Sequence, residues 1–223
     1  MRKPAAMSDP RPPHEGIERL GVLGGTFDPI HLGHLAMARA ALAAHSLSRV
    51  LLVPAASPPH KHRELTDPRH RLEMARNSAR ADPRLEVSDI EVRRGGISYT
   101  VDTLQELLKD HPRSEIFFIL GEDSIPELPL WKDAGRIFEI ARIVAVNRPG
   151  PRHRFDPATF PTVAEEVLRR CEGDRVEMAP VPIASRDIRG AIPAGKPFEH
   201  LLPPGVGEYI RRHGLYGYRK EKK

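Results

Sequence analysis

Two histidines three residues apart, His31 and His34, close the run Val22-Leu23-Gly24-Gly25-Thr26-Phe27-Asp28-Pro29-Ile30-His31-Leu32-Gly33-His34. Imidazoles at this spacing can ligate a metal, cap and pack a helix start, or donate hydrogen bonds to an anion. Helical zinc pairs stand at i,i+4 with a glutamate nearby; this pair is at i,i+3, no carboxylate lies on the helix that follows, and the sole cysteine, Cys171, is remote. Capping and packing is the plain reading of two histidines at a helix start. In the phosphate reading, Gly24 and Gly25 let the backbone approach a bulky anion, and the next helix aims its first amides and positive dipole end at it. Gly33 between the rings would keep the helix wall low beside a nucleotide. Two common nucleotide loops are excluded: the glycines stand at 21, 24 and 25 rather than in G-x-G-x-x-G, and the P-loop lysine with its Ser/Thr is missing.

Such a loop needs a strand before it and a helix after it, and the chain supplies both repeatedly. Apolar runs at 20–23, 50–53, 115–120 and 142–146 read as buried strands, with weaker candidates at 85–87 and 175–181. Between them, 32–44 places Leu32, Leu35 and Leu42 on one helical face, and Asp67-Pro68 is an N-cap with proline at the first helical position, ahead of Leu72, Ala75 and Ala79. Residues 101–109 carry Val101, Leu104 and Leu108 on a stripe stopped by Pro112. Pro204 opens a last helix that buries Val206 and Ile210 and closes at Gly214. Residues 147–161, rich in proline and arginine, read as a long loop. Strand–helix alternation of this kind predicts a Rossmann-like α/β fold: a doubly wound parallel sheet of five to six strands, helices on both faces and a small C-terminal helical part. Ligands in such sheets bind at the carboxyl ends of the strands.

The composition of 39% hydrophobic and 29% charged residues suits a globular chain whose 223 residues can bury a sizeable core. The expected organisation is a polar, proline-rich leader at 1–18, one domain over 19–218 with a helical subregion at about 183–218, and a tail at 219–223. One cysteine permits no internal disulfide, and no apolar run approaches the roughly 20 residues that span a bilayer. A cytoplasmic protein without membrane partners is expected. The net charge of +5 favours a phosphate-bearing partner, but 5% aromatic residues make a base-stacking platform for nucleic acid implausible.

Further along the chain, Pro54 and Pro58-Pro59-His60-Lys61 follow the second strand, and Ser-Tyr-Thr-Val-Asp-Thr-Leu runs from Ser98 to Leu104. Leu-Gly-Glu-Asp-Ser (120–124) with Trp131 follows the fourth strand, and Asn-Arg-Pro-Gly (147–150) the fifth; Ile-Ala-Ser-Arg-Asp-Ile-Arg (183–189) and Val-Gly-Glu-Tyr-Ile-Arg-Arg-His-Gly-Leu-Tyr (206–216) complete the set. With the His31-x-x-His34 run, these blocks resemble, over about residues 19–218, the bacterial nicotinate-nucleotide adenylyltransferases of the H-x-G-H nucleotidyltransferase superfamily.

The resemblance implies transfer of the adenylyl group of ATP to nicotinate mononucleotide, giving nicotinate adenine dinucleotide and pyrophosphate. It implies His31 and His34 as phosphate donors in catalysis. Gly24, Gly25, Thr26, Phe27, Gly33, Lys61, Gly121, Asp123, Ser185 and Arg189 would contact ATP and the phosphates, with Ser185 also capping its helix. Thr100, Asp123, Trp131 and Lys132 would hold the nicotinate nucleotide, by indole stacking and by backbone amides near Thr100 and Lys132 that select a carboxylate over a carboxamide. Magnesium would arrive with ATP, without a dedicated protein cage. One departure stands out: Ala184 and Arg186 replace two hydroxyl residues of the family's Ile-Ser-Ser-Thr, so Arg186 either supplies charge to pyrophosphate or pairs with Asp187. The alternatives are transfer to nicotinamide mononucleotide or another phosphate, a non-catalytic nucleotide sensor, and a zinc hydrolase built on the two histidines. The oligomeric state is left open, with room for a homo-oligomer.

Overall fold

The computed structural model describes residues 17–59, 64–147 and 150–219. Five parallel strands, β1 (Glu18–Gly25), β2 (Arg49–Pro54), β3 (Leu85–Val87), β4 (Ser114–Gly121) and β5 (Arg142–Val146), form one sheet in the order β3-β2-β1-β4-β5. The order reverses at β1, so β1 and β4 flank the point where a doubly wound sheet opens a crevice. The helices are α1 (Leu32–Ala44), α2 (Pro68–Ala79), α3 (Ile90–Arg94), α4 (Thr100–Asp110), α5 (Ala134–Ile140), α6 (Glu165–Gly173), α7 (Ser185–Ala191) and α8 (Val206–His213). Short 3-10 turns lie at Glu122–Ser124, Leu128–Leu130, Glu199–Leu201 and Leu215–Gly217.

Alternation along the strands splits the core into two layers. Leu23, Val50, Leu52, Phe117, Ile119, Val144 and Val146 face one layer, which α1, α2, α7 and α8 cover with Leu35, Ala38, Met74, Ile188 and Ile210. Leu20, Val22, Leu51, Val53, Ile116, Phe118, Leu120 and Ile143 face the other, covered by Ile90, Leu104, Ile137 and Leu168 of α3 to α6. Strands buried on both faces read as unbroken apolar runs, which is why the sequence shows them so clearly.

α1 spans the predicted 32–44, although Leu32 is only half-buried. Asp67 caps α2 by accepting from the Arg69 amide at 2.8 Å, with Pro68 at the first position. Two expectations need correction. The sixth strand predicted at 175–181 is a single bridge, Val176 to Val146, after which the Asn147 side chain holds Met178 through both its amide and its carbonyl. The last helix starts at Val206 behind a left-handed Gly205 rather than at Pro204; it ends at Gly214 (φ 62°) as expected. The loop expected at 147–161 carries no helix or strand among its described residues, and α3, α5 and α6 are further short helices whose apolar periodicity is too brief to reveal them. No helix among the described residues is long and apolar enough to cross a membrane.

Candidate active site

β1 delivers its chain to the sheet edge at Gly24 and Gly25, and β2 ends beside it at Pro54, with the Ala55 amide bonded to the Gly25 carbonyl at 2.9 Å. From Gly25 the chain turns sharply into the core. A Cβ at Gly25 would stand 2.7 Å from the Phe27 ring, so only glycine fits there. Phe27 adopts a left-handed φ of 47°, unusual for a bulky residue, and residues 27–30 are all buried. The Asp28–Pro29 peptide is cis.

His31 is the N-cap of α1 and 2% exposed. Its ring stacks on that of His34, centroids 3.7 Å apart, and the edge of Phe27 meets His34 at 5.0 Å. His34 Nδ1 accepts the His31 amide proton at 3.1 Å. An accepting Nδ1 carries no proton, which assigns the neutral His34 proton to Nε2 and makes that atom a donor. Gly33 lies between the rings for a spatial reason: a Cβ there would be 3.0 Å from His31 Nδ1. The capping reading and the donor reading are therefore compatible, since the cap fixes the ring that donates.

The side chains that hold this loop are invisible in the sequence. Arg71 of α2 is fully buried, and its guanidinium donates to Thr66 O (2.7 Å), Thr26 O (2.7 Å), Ala55 O (2.5 Å) and Ala56 O (2.9 Å). It thus ties the loop after β1 to the loop after β2. Ser98 braces the second loop from the other side, its hydroxyl accepting from the Ala56 amide at 2.9 Å. Lys61, expected in this loop, lies outside the described residues.

α7 closes the loop from above. Ser185 is the first residue of α7, not its cap, because Ala184 occupies the N-cap position. Its hydroxyl instead donates to Pro29 O at 2.9 Å, and Arg189, one turn on, donates to Asp28 O at 2.6 Å. Both residues expected at the ATP phosphates therefore also grip the histidine loop. Arg186 is 82% exposed, with Asp187 at 3.5 Å, a pair too solvated to hold it firmly.

Across the β1–β4 crevice, two of the residues expected around the pyridine ring, Thr100 and Lys132, lie at the first turn of α4, with Trp131 beside Lys132 in the chain. Thr100 is the first residue of α4, and its N-cap, Tyr99, makes no side-chain cap. Lys132 pairs with Asp102 of that first turn at 3.0 Å and lies 4.8 Å over the Tyr99 ring. Trp131 is half-buried, its edge on Phe118 at 6.1 Å, and its indole N–H has no acceptor among the described residues. Gly121 is buried at the end of β4, and Asp123 is exposed two residues on. Between them, Glu122 turns inward: Glu122 and Arg175 pair at 2.7 Å with side chains 8% and 7% exposed. Arg175 also binds Glu172 and the His153 carbonyl. Among the described residues no group of three or more His, Cys, Asp or Glu could hold a metal.

The sequence and the fold agree with known proteins. The cytidylyltransferase-like family model matches residues 22–190. A relative from Desulfitobacterium hafniense (strain Y51) is 40% identical over 89% of this chain and 96% of its own. One from Roseiflexus sp. (strain RS-1) is 42% identical over 88% and 97%. Both carry the name "Probable nicotinate-nucleotide adenylyltransferase". Among solved structures, Plasmodium falciparum nicotinic acid mononucleotide adenylyltransferase complexed with NaAD superposes with a TM-score of 0.69 at 18% identity, over 91% of this chain and 98% of that one, a likeness of fold. Matches of this extent and identity place the chain in the cytidylyltransferase-like family and, within it, among the nicotinate-nucleotide adenylyltransferases.

Proposed function

We propose that the protein transfers the adenylyl group of ATP to nicotinate mononucleotide, releasing pyrophosphate, with magnesium arriving on the ATP phosphates as part of the substrate. The observation that carries the reading is the His31–His34 pair: a stacked couple at the start of a helix of 13 residues, with Nε2 of His34 made a donor by the bond its Nδ1 accepts. The names of the relatives, and the complex of the Plasmodium enzyme with NaAD, support the same reaction.

The acceptor phosphate is already anionic near neutral pH, so no general base is needed. A phosphate oxygen of the mononucleotide forms a bond to the α-phosphorus of ATP as the bond to the bridging oxygen of pyrophosphate breaks. The protein has to hold two anions in line and stabilise the charge that develops on the transferred phosphoryl and the leaving group. In this reading His34 Nε2, His31, the first amides of α1 and the backbone at Gly24–Phe27 face the phosphates, with Lys61, Ser185 and Arg189 completing the ATP side. Fixed donors of this type contribute a few kcal/mol each in a transition state because they need no reorganisation.

On the acceptor side, Trp131 stacks on the pyridine ring, and the uncapped first turn of α4 at Thr100, with the Lys132 amide, receives the carboxylate. A neutral carboxamide draws less from those amides than a carboxylate, which sets the preference for the acid. The test is pyrophosphate release from Mg·ATP with nicotinate mononucleotide or its amide, for wild type and His34→Ala. The expected result is a strong preference for the acid and a loss of about 10²–10³ in kcat in the variant. Equal use of both acceptors sinks the carboxylate pocket, and absence of turnover with either sinks the reaction.

A further inference from the structure

Three stretches of chain far apart in sequence converge on residues 26–29, and one of them has no role in the proposed reaction. Tyr216, in the 3-10 turn after α8, donates its hydroxyl to Asp28 Oδ1 at 2.8 Å. Asp28 is 1% exposed, and the carbonyls of Asp28 and Pro29 are the acceptors of Arg189 and Ser185. The Thr66 carbonyl takes Arg71 Nε, whose guanidinium also clamps the Thr26 carbonyl, so the loop is held from α2 as well.

Two features separate this contact from ordinary packing. Phe27 and Tyr216 both have left-handed backbones, φ 47° and 56°, a conformation bulky residues keep only where surrounding contacts over-determine it. The Asp28 carboxylate joins the two: it adjoins Phe27 in the chain and bonds Tyr216. Phe27 in turn presents its ring edge to His34. Burial, reinforced by the Asp28 charge, pushes the Tyr216 phenol above its ordinary range, so the hydroxyl remains a donor across the pH range of the enzyme.

We propose that Tyr216 is a positioning residue for the adenylyl transfer, its hydroxyl acting through Asp28 to set the backbone of residues 26–29 and thereby the orientation of His34. The proposal rests on the reaction proposed above. It predicts that removing the hydroxyl leaves substrate binding in place and misaligns the donor, since small displacements in an in-line transfer lower the rate more than the affinity.

The test compares Tyr216→Phe with wild type in two readouts. Long-range ¹H–¹⁵N spectra of the imidazoles, recorded without substrates, report the His34 tautomer independently of any reaction; wild type has the proton on Nε2, and the variant is expected to shift the His34 resonances. Pyrophosphate release from Mg·ATP and nicotinate mononucleotide is expected to lose about tenfold in kcat, with both KM values within about twofold. Asp28→Asn keeps an acceptor for the phenol and should retain more kcat than Tyr216→Phe, and adding Tyr216→Phe to Asp28→Ala should cost nothing further. Unmoved His34 resonances, or a kcat within twofold of wild type, overturn the proposal whatever happens to the melting temperature. Absence of turnover in wild type defeats the reaction instead, and the imidazole spectra then decide this inference alone.

Discussion

The loop after β1 and the pocket after β4 share one edge of the sheet, yet they are held in opposite ways. The first is gripped from inside: Arg71, Ser185, Arg189 and Tyr216 bond its own backbone or its buried carboxylate. At β4 the buried grip falls on Glu122. Glu122 is locked to Arg175 in the core, whereas Asp123 is exposed, and the Lys132–Asp102 pair beside Trp131 is exposed by 44% and 36%. The contrast fits the division of labour proposed here. Donors to a transferring phosphoryl gain from rigidity, whereas a pocket that admits and releases a ring is built from looser surface pairs.

The sharpest way to break this contrast is Arg71→Leu, which leaves four backbone carbonyls without their donor. It should lower stability by at least about 3 kcal/mol, read as a fall in the urea midpoint. A loss under about 1 kcal/mol would mean the two loops stand without the clamp. Next in size, Trp131→Ala should raise KM for nicotinate mononucleotide about tenfold while leaving KM for ATP within twofold. Equal effects on both substrates would erase the distinction between the two regions.

A smaller effect concerns the clamp beneath the pocket. Burial pushes the Glu172 carboxyl up, but the Arg175 guanidinium and the Phe155 amide outweigh it and hold it below its ordinary 4.5. A depressed native value means stability that is present above that pH and drains as pH falls through the native value. Glu172→Gln should therefore flatten the acid limb of stability below about pH 4.5, measured as urea midpoints across that range. Smallest of all, Lys132→Ala should change stability by less than about 0.5 kcal/mol, because an exposed pair contributes little. A larger change would show that the pocket is gripped as firmly as the loop.

The same contrast governs how much of the molecule is legible in its sequence. Strands buried on two faces announce themselves: 142–146 matches β5 residue for residue, and 85–87 matches β3. The histidine loop is legible because glycines and imidazoles in that spacing have few uses. The grips are not. Arg71 lies on the buried face of α2 with Leu72, Met74, Ala75 and Ser78, and its i,i+4 relation to Ala75 is the one available hint that an arginine faces inward. Tyr216 sits beyond the last helix, where no periodicity operates. Ser185 reads as a cap because serine near a helix start so often is one; only the structure shows its hydroxyl turned back to Pro29. A single β-bridge at Val176 cannot be told from a strand by apolar content alone.

The bond from Tyr216 to Asp28 also orders events during synthesis. Asp28 and both histidines leave the ribosome early, and the sheet is complete once β5 has emerged. A nascent chain that has passed β5 but not yet extruded Tyr216 therefore carries all five strands, while the helices α6 to α8 that cover the two core layers and the bond to Asp28 are completed only by the last part of the chain to emerge.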